Sequence, residues 1–176
     1  MAEVGCLKDG NFQNLQVEGE ITNLGAQTGK MKTRLVSPGT TATVAAPTMT
    51  LLPADSGTVF FCNIATHSCG FALPVVANNA GVYYTFILNL TSTGEATKDL
   101  FIFTESVAVD IMGPCVDAGA IHDTGVAGAR CLQMNSSAGA AVAGNRMKVI
   151  CDGNHWFVLE ASAVTAATFV SDDTLA

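Results

Sequence analysis

The sequence predicts an all-β fold, a β-sandwich or jelly-roll-like domain with an extended N-terminal arm, on three observations. First, about eight short runs rich in Val, Ile, Phe, Tyr and Thr are separated by Gly, Pro, Asn and Asp turn signals, the pattern of a two-layer β domain. Second, helical periodicity is thin: the alanine-rich stretch 138–143 is interrupted by Gly139 and followed by Gly144, and only residues 74–81 leave room for one helical turn. Third, the opening residues differ in character from the rest, which divides the chain into an arm and linker, 1–45, and a β-sandwich domain, 46–176.

In the arm, an Asp9-Gly10 turn signal precedes Leu15, Val17, Gly19 and Ile21, which alternate with Gln16, Glu18 and Glu20. That alternation describes a strand with one apolar face. A lone hairpin is marginal in water, so the segment is expected to pair with the main domain or with another chain. Residues 25–39, rich in Gly, Thr and Lys, read as a linker.

The strands of the domain follow in order. Residues 48–61 read as strand–turn–strand, with Asp55-Ser56-Gly57 supplying the turn: Asp and Ser bond nearby backbone, and Gly takes the awkward dihedral. Further strands are expected at 59–64, at 71–74 (closed by Pro74), at 82–90, at 100–104, at 107–112 and at 130–134. The clearest hairpin joins 146–151 to 156–161 through Asp152-Gly153-Asn154. Phe60, Phe86, Phe101 and the single tryptophan, Trp156, are expected in the core. Residues 117–128 and 135–145 read as loops, and no internal repeat of fixed period stands out.

Composition narrows the function. Of the 176 residues, 49% are hydrophobic and only 13% charged, which suits a surface partly covered by neighbours. A net charge of −7 argues against nucleic acid, whose binding needs a basic face; Lys30, Lys32 and Arg34 form the only basic cluster. No run approaches the roughly 18 apolar residues a membrane helix needs, so no membrane association is expected. The N-terminus lacks a basic region followed by an apolar run, so no secretory signal is expected and the protein is placed in the cytoplasm at synthesis. Its six cysteines, Cys6, Cys62, Cys69, Cys115, Cys131 and Cys151, are then expected to be buried reduced thiols, although three bridges are arithmetically possible.

Two constellations come nearest to chemistry. Cys62, His67 and Cys69 have a Cys-x4-His-x-Cys spacing, but a closed zinc site wants a fourth ligand; the plainer reading is a turn histidine beside buried thiols. His122-Asp123 with Cys115 offers a thiol and an oriented base, in a glycine- and alanine-rich region without an oxyanion motif. Phosphate-loop, dinucleotide and metalloprotease motifs are not present in the sequence. The expectation is therefore a protein that is not an enzyme, with no catalytic, cofactor or metal site.

Four signatures carry a resemblance: Thr50-Leu51-Leu52-Pro53-Ala54-Asp55-Ser56-Gly57-Thr58-Val59-Phe60; Phe71-Ala72-Leu73-Pro74; Ala80-Gly81-Val82-Tyr83-Tyr84-Thr85-Phe86; and Asp152-Gly153-Asn154-His155-Trp156. Across residues 48–160 the chain resembles virion structural proteins of tailed bacteriophages, above all the small capsid decoration, or cement, proteins. That resemblance implies a homotrimer on the outer capsid surface of the virion, assembled in the host cytoplasm, which stabilises the head by bridging major capsid subunits. On it, Phe12, Leu15, Val17 and Ile21 are expected to contact the capsid through the arm, and Lys30, Lys32 and Arg34 to meet acidic patches on the shell. The alternative is a tail or head fibre module that binds a host receptor or glycan.

Overall fold

A computed structural model describes residues 31–90, 98–104, 109–118, 120–123, 129–134, 142–163 and 169–172. The chain divides between Lys30 and Met31, and the described residues all belong to the second unit, Met31–Ala176. Phe12, Leu15, Val17, Ile21 and Lys30 lie outside them.

The described strands are β1 (Thr33–Val36), β2 (Met49–Thr50), β3 (Val59–Asn63), β4 (Cys69–Leu73), β5 (Tyr83–Leu90), β6 (Leu100–Thr104), β7 (Ile111–Met112), β8 (Pro114–Asp117), β9 (Ala120–Asp123), β10 (Cys131–Met134), β11 (Arg146–Cys151), β12 (Trp156–Ala163) and β13 (Phe169–Asp172). They build the expected all-β sandwich. The larger sheet runs β1-β3-β5-β11-β12-β8-β9, with β7 also on β12; the smaller runs β13-β10-β6-β4-β2.

The connectivity differs from the antiparallel Greek keys of a jelly roll. From β1 to β6 the chain alternates sheets: β1, β3 and β5 lie in the larger, β2, β4 and β6 in the smaller. Each strand therefore serves as the crossover for the next parallel pair, a job more often done by a helix. In the larger sheet Thr33 pairs with Val59, and Val59 with Thr85, a step of 26 residues each time. A structural period of 26 is thus present where sequence inspection found no repeat, because only the ladder positions coincide and the residues at them differ. After β6 the chain turns to antiparallel hairpins, β8–β9 and β11–β12.

Period-2 alternation decides what each strand buries. Phe60 and Cys62 of β3, Tyr84, Phe86 and Leu88 of β5, and Met147, Val149 and Cys151 of β11 all point into the sandwich. Phe60 and Phe86 are register partners, and their rings stack at 5.5 Å with a 17° interplanar angle. Phe71 of β4 meets both from the opposite sheet, at 5.3 Å and 4.8 Å. Trp156 closes the cluster against Tyr84 at 5.8 Å. β4 and β6 are buried at every residue. Leu100 and Ile102 face the main core, while Phe101 and Phe103 join Ala42, Ala72 and Cys131 in a second apolar layer on the other side. The four expected core aromatics, Phe60, Phe86, Phe101 and Trp156, are all buried.

Several boundaries differ from expectation. Residues 33–36, read as linker, form β1 and pair with β3, since Leu35 and Val36 continue the apolar ladder of Phe61 and Cys62. The expected loop 117–128 instead contributes Asp117 to β8 and Ala120–Asp123 to β9. β13 was not anticipated, and of the expected strand 107–112 the described residues 109–112 are strand only at Ile111–Met112. The single turn of helix expected at 74–81 is a pair of non-helical turns; a 3-10 turn forms instead at Pro53–Asp55. The Asp152 hairpin is as expected: Oδ1 accepts the Asn154 and His155 amides at 2.7 Å each, and Gly153 takes φ +102°.

Candidate interaction surface

The residues that point away from the core on the larger sheet form a continuous surface. Ladder registers place Thr33, Val59, Thr85, Lys148 and Glu160 in one row across β1, β3, β5, β11 and β12. Leu35, Phe61, Ile87, Arg146 and Ser162 form the next row. Tyr83, Ile150 and Phe157 extend it on the opposite flank of the first row. Seven of these thirteen side chains are apolar; Val59 is buried, and Phe61, Ile87, Ile150 and Phe157 are half-buried. Leu35 is 67% exposed and Met31, just before β1, 68%.

A groove of about 400 Å³ runs across this face, lined by Thr33, Val59, Phe61, Tyr83, Lys148 and Glu160 among others. Its charges are internally matched. Arg146 pairs with Glu160 at 2.5 Å, and the Lys148 ammonium lies 5.1 Å from the centre of the Tyr83 ring. At such exposure each contact contributes about 1 kcal/mol or less, so their effect is to orient side chains rather than to hold the fold. The wall beside Tyr83 depends on Gly57, at φ +79°: a Cβ there would sit 3.3 Å from the tyrosine hydroxyl.

The edge of the face carries two expected contact residues. Lys32 and Arg34 flank Thr33 on β1, both exposed, and Lys32 Nζ donates to Ala54 O at 2.6 Å. They belong to the sheet edge rather than to a separate linker. Phe61, Tyr83 and Ile87, the centre of the face, were not singled out from sequence. They sit in near-continuous apolar runs, which read as strands buried on both sides.

The constellations weighed for chemistry resolve differently. Cys62 and Cys69 are fully buried beside one another, and burial pushes the Cys62 thiol up. His67 turns instead to Thr41, 3.4 Å from its hydroxyl. Among the described residues no group of three or more His, Cys, Asp or Glu side chains gathers as a metal site. Cys115 and His122 are register partners in the β8–β9 ladder, with Cys115 buried. The five described cysteines are buried thiols. No described helix is long and apolar enough to cross a membrane. No protein-family model matches the chain, and no curated protein matches it.

Proposed function

We propose that this chain is a bacteriophage capsid decoration protein. It acts as a homotrimer on the outer surface of the head and stabilises the shell by bridging major capsid subunits. The observation that carries the reading is the outer face of β1, β3, β5, β11 and β12, where Leu35 and Tyr83 are exposed and Phe61, Ile87, Ile150 and Phe157 half-buried. Such a face, with the exposed Lys32 and Arg34 on the opposite side of its edge strand β1, suits docking on another protein surface better than exposure to water. The resemblance of residues 48–160 to phage virion structural proteins supports the same reading, as does the low charge content of 13%. The work is mechanical: many modest contacts, repeated over a shell, add up through multivalency.

Binding of purified protein to undecorated heads tests this. Wild-type protein is expected to coat them. Phe61→Asp, in the middle of the face, is expected to reduce occupancy at least tenfold, with circular dichroism and oligomeric mass unchanged. Ile87→Asp provides a second variant on the same face should Phe61→Asp misfold. Full occupancy by a folded variant overturns the reading.

A second reading, a fibre module that binds a host receptor or glycan, is favoured by one feature. Tyr83, at 38% exposure, offers a ring edge in a groove with Lys148, Glu160 and Thr85, the mixture of aromatic and polar groups a sugar would use. A glycan array separates the two readings, since a decoration protein should show no saturable binding there.

A further inference from the structure

We propose that Cys62 and Cys69 are a redox-sensitive lock, a thiol pair that a peroxide closes into a disulfide tying β3 of the larger sheet to β4 of the smaller. The inference stands on the core of the sandwich and does not use the docking reading above.

Topology brings the two thiols together. Cys62 lies next to the last residue of β3 and Cys69 opens β4, so they flank the irregular segment 63–68 through which the chain passes from one sheet to the other. Both side chains enter the same core and are fully buried. Their sulfurs are hydrogen-bonded to each other. A disulfide needs its sulfurs at about 2.05 Å and is sensitive to where the two chains stand, so thiols already in contact are the ones that side-chain rotation can join. Cys151, by contrast, accepts from Gly153 N at 3.3 Å and donates to Val76 O at 3.7 Å.

The two sulfurs are not equivalent. The hydrogen bond from the Cys62 thiol, with a second from Thr48, holds the Cys69 thiol below its ordinary value although burial opposes it. The Thr48 oxygen accepts the Gly70 amide at 3.1 Å, so its own proton is left for the sulfur. Burial pushes the Cys62 thiol up instead. Cys69 is therefore the thiolate that attacks, and Cys62 the thiol that resolves.

The chemistry balances with hydrogen peroxide as the oxidant. The Cys69 sulfur attacks one peroxide oxygen: an S–O bond forms, the O–O bond breaks, and the departing hydroxide takes up the Cys69 proton as water. The Cys62 sulfur then attacks the Cys69 sulfur and displaces the hydroxyl, which leaves as water with the Cys62 proton. Two thiols are oxidised to a disulfide, and one peroxide is reduced to two waters. Thr66 is exposed and Ala65 and His67 are half-buried, so the segment between the thiols meets solvent. Local opening of such an irregular segment takes far less than global unfolding and admits a molecule little larger than water.

Differential labelling of the full chain tests the pair. After treatment with hydrogen peroxide, free thiols are blocked with N-ethylmaleimide in denaturant, and oxidised ones are then reduced and labelled with iodoacetamide. The second label is expected on Cys62 and Cys69 at about tenfold the fraction found on Cys115, Cys131 or Cys151, in a chain that runs as a monomer on a non-reducing gel. Any other distribution of that label, or linkage between chains, overturns the inference. The thermal midpoint of the oxidised protein should rise by roughly 5 °C, because the bridge restricts the unfolded chain; an unchanged midpoint overturns the role as a lock. Dimedone, which traps sulfenic acids, reads the two roles. In Cys62→Ser it is expected to label Cys69, and in Cys69→Ser to label Cys62 about tenfold more slowly. Equal rates contradict the assignment. Should either variant misfold by circular dichroism, the labelling of the wild-type chain decides the pairing alone.

Discussion

Tyr84 shows how one side chain ties the two halves of the sandwich edge together. Its ring lies in the core between Phe60 and Trp156, and its hydroxyl donates to Leu52 O at 2.7 Å. Burial, with Asp55 nearby, holds its ionisation well above the ordinary tyrosine range. The unfolded chain therefore loses this proton first as pH rises, so it binds fewer protons than the native state and stability falls with pH. The contribution is complete below the ordinary tyrosine value, about 10, and declines as pH climbs above it. Tyr84→Phe should cost about 1 kcal/mol at neutral pH and flatten the alkaline decline, as read from urea melts at pH 7 and pH 11. Gly70 makes a contrasting case. It is the ladder partner of Phe101, and a Cβ there would drive into that ring and against Ala42. Gly70→Ala should destabilise by about 1–3 kcal/mol in the same melts, since a well-packed layer cannot absorb the extra atom without side-chain shifts.

At the scale of elements, β12 carries an irregularity that its sequence makes necessary. Trp156 and Val158 point inward at a spacing of two, but the next inward residue is Ala161, at a spacing of three. Leu159 absorbs the extra position: Lys148 pairs with Glu160 and Val149 with Val158, which leaves Leu159 bulged and 55% exposed. Gly113, at φ +124°, fits against Val158 on the other side of the strand, where a Cβ would approach the Val158 carbonyl to 3.1 Å. Leu159→Ser is expected to change stability by no more than about 0.5 kcal/mol, and deletion of Leu159, which leaves Val158, Glu160 and Ala161 in ordinary alternation with Ala161 and Ala163 still inward, should cost less than about 2 kcal/mol. Thermal melts of both variants check the pair. Much of this level was legible beforehand. Val82 to Leu90 and the Asp152 hairpin announce themselves through β-branched and aromatic runs and turn chemistry. β1 did not, because Thr33-Arg34-Leu35-Val36 sits among lysines and glycines and offers only four residues of alternation. Nor did the parallel coil, since a period of two tells which face a residue takes and is silent about which strand lies beside it.

For the whole molecule, the same ambiguity explains why the candidate surface was found from one side only. Lys32 and Arg34 stood out as an isolated basic cluster in an acidic chain of net charge −7. Phe61, Tyr83 and Ile87 looked like core, because an apolar residue in an apolar strand carries no mark of facing outward. The sandwich thus has one layer, around Phe60, Phe71, Phe86 and Trp156, that holds the fold, and another, around Phe61, Tyr83 and Ile87, that is available to hold something else. The proposed function assigns capsid docking to that second layer. Cryo-electron microscopy of phage heads incubated with this protein is its test. The expected result is density for the sandwich on the outside of the head where capsomers meet, with the β1-β3-β5-β11-β12 face turned toward the shell. Density on the tail, or a sandwich on the head with that face turned to solvent, would contradict it.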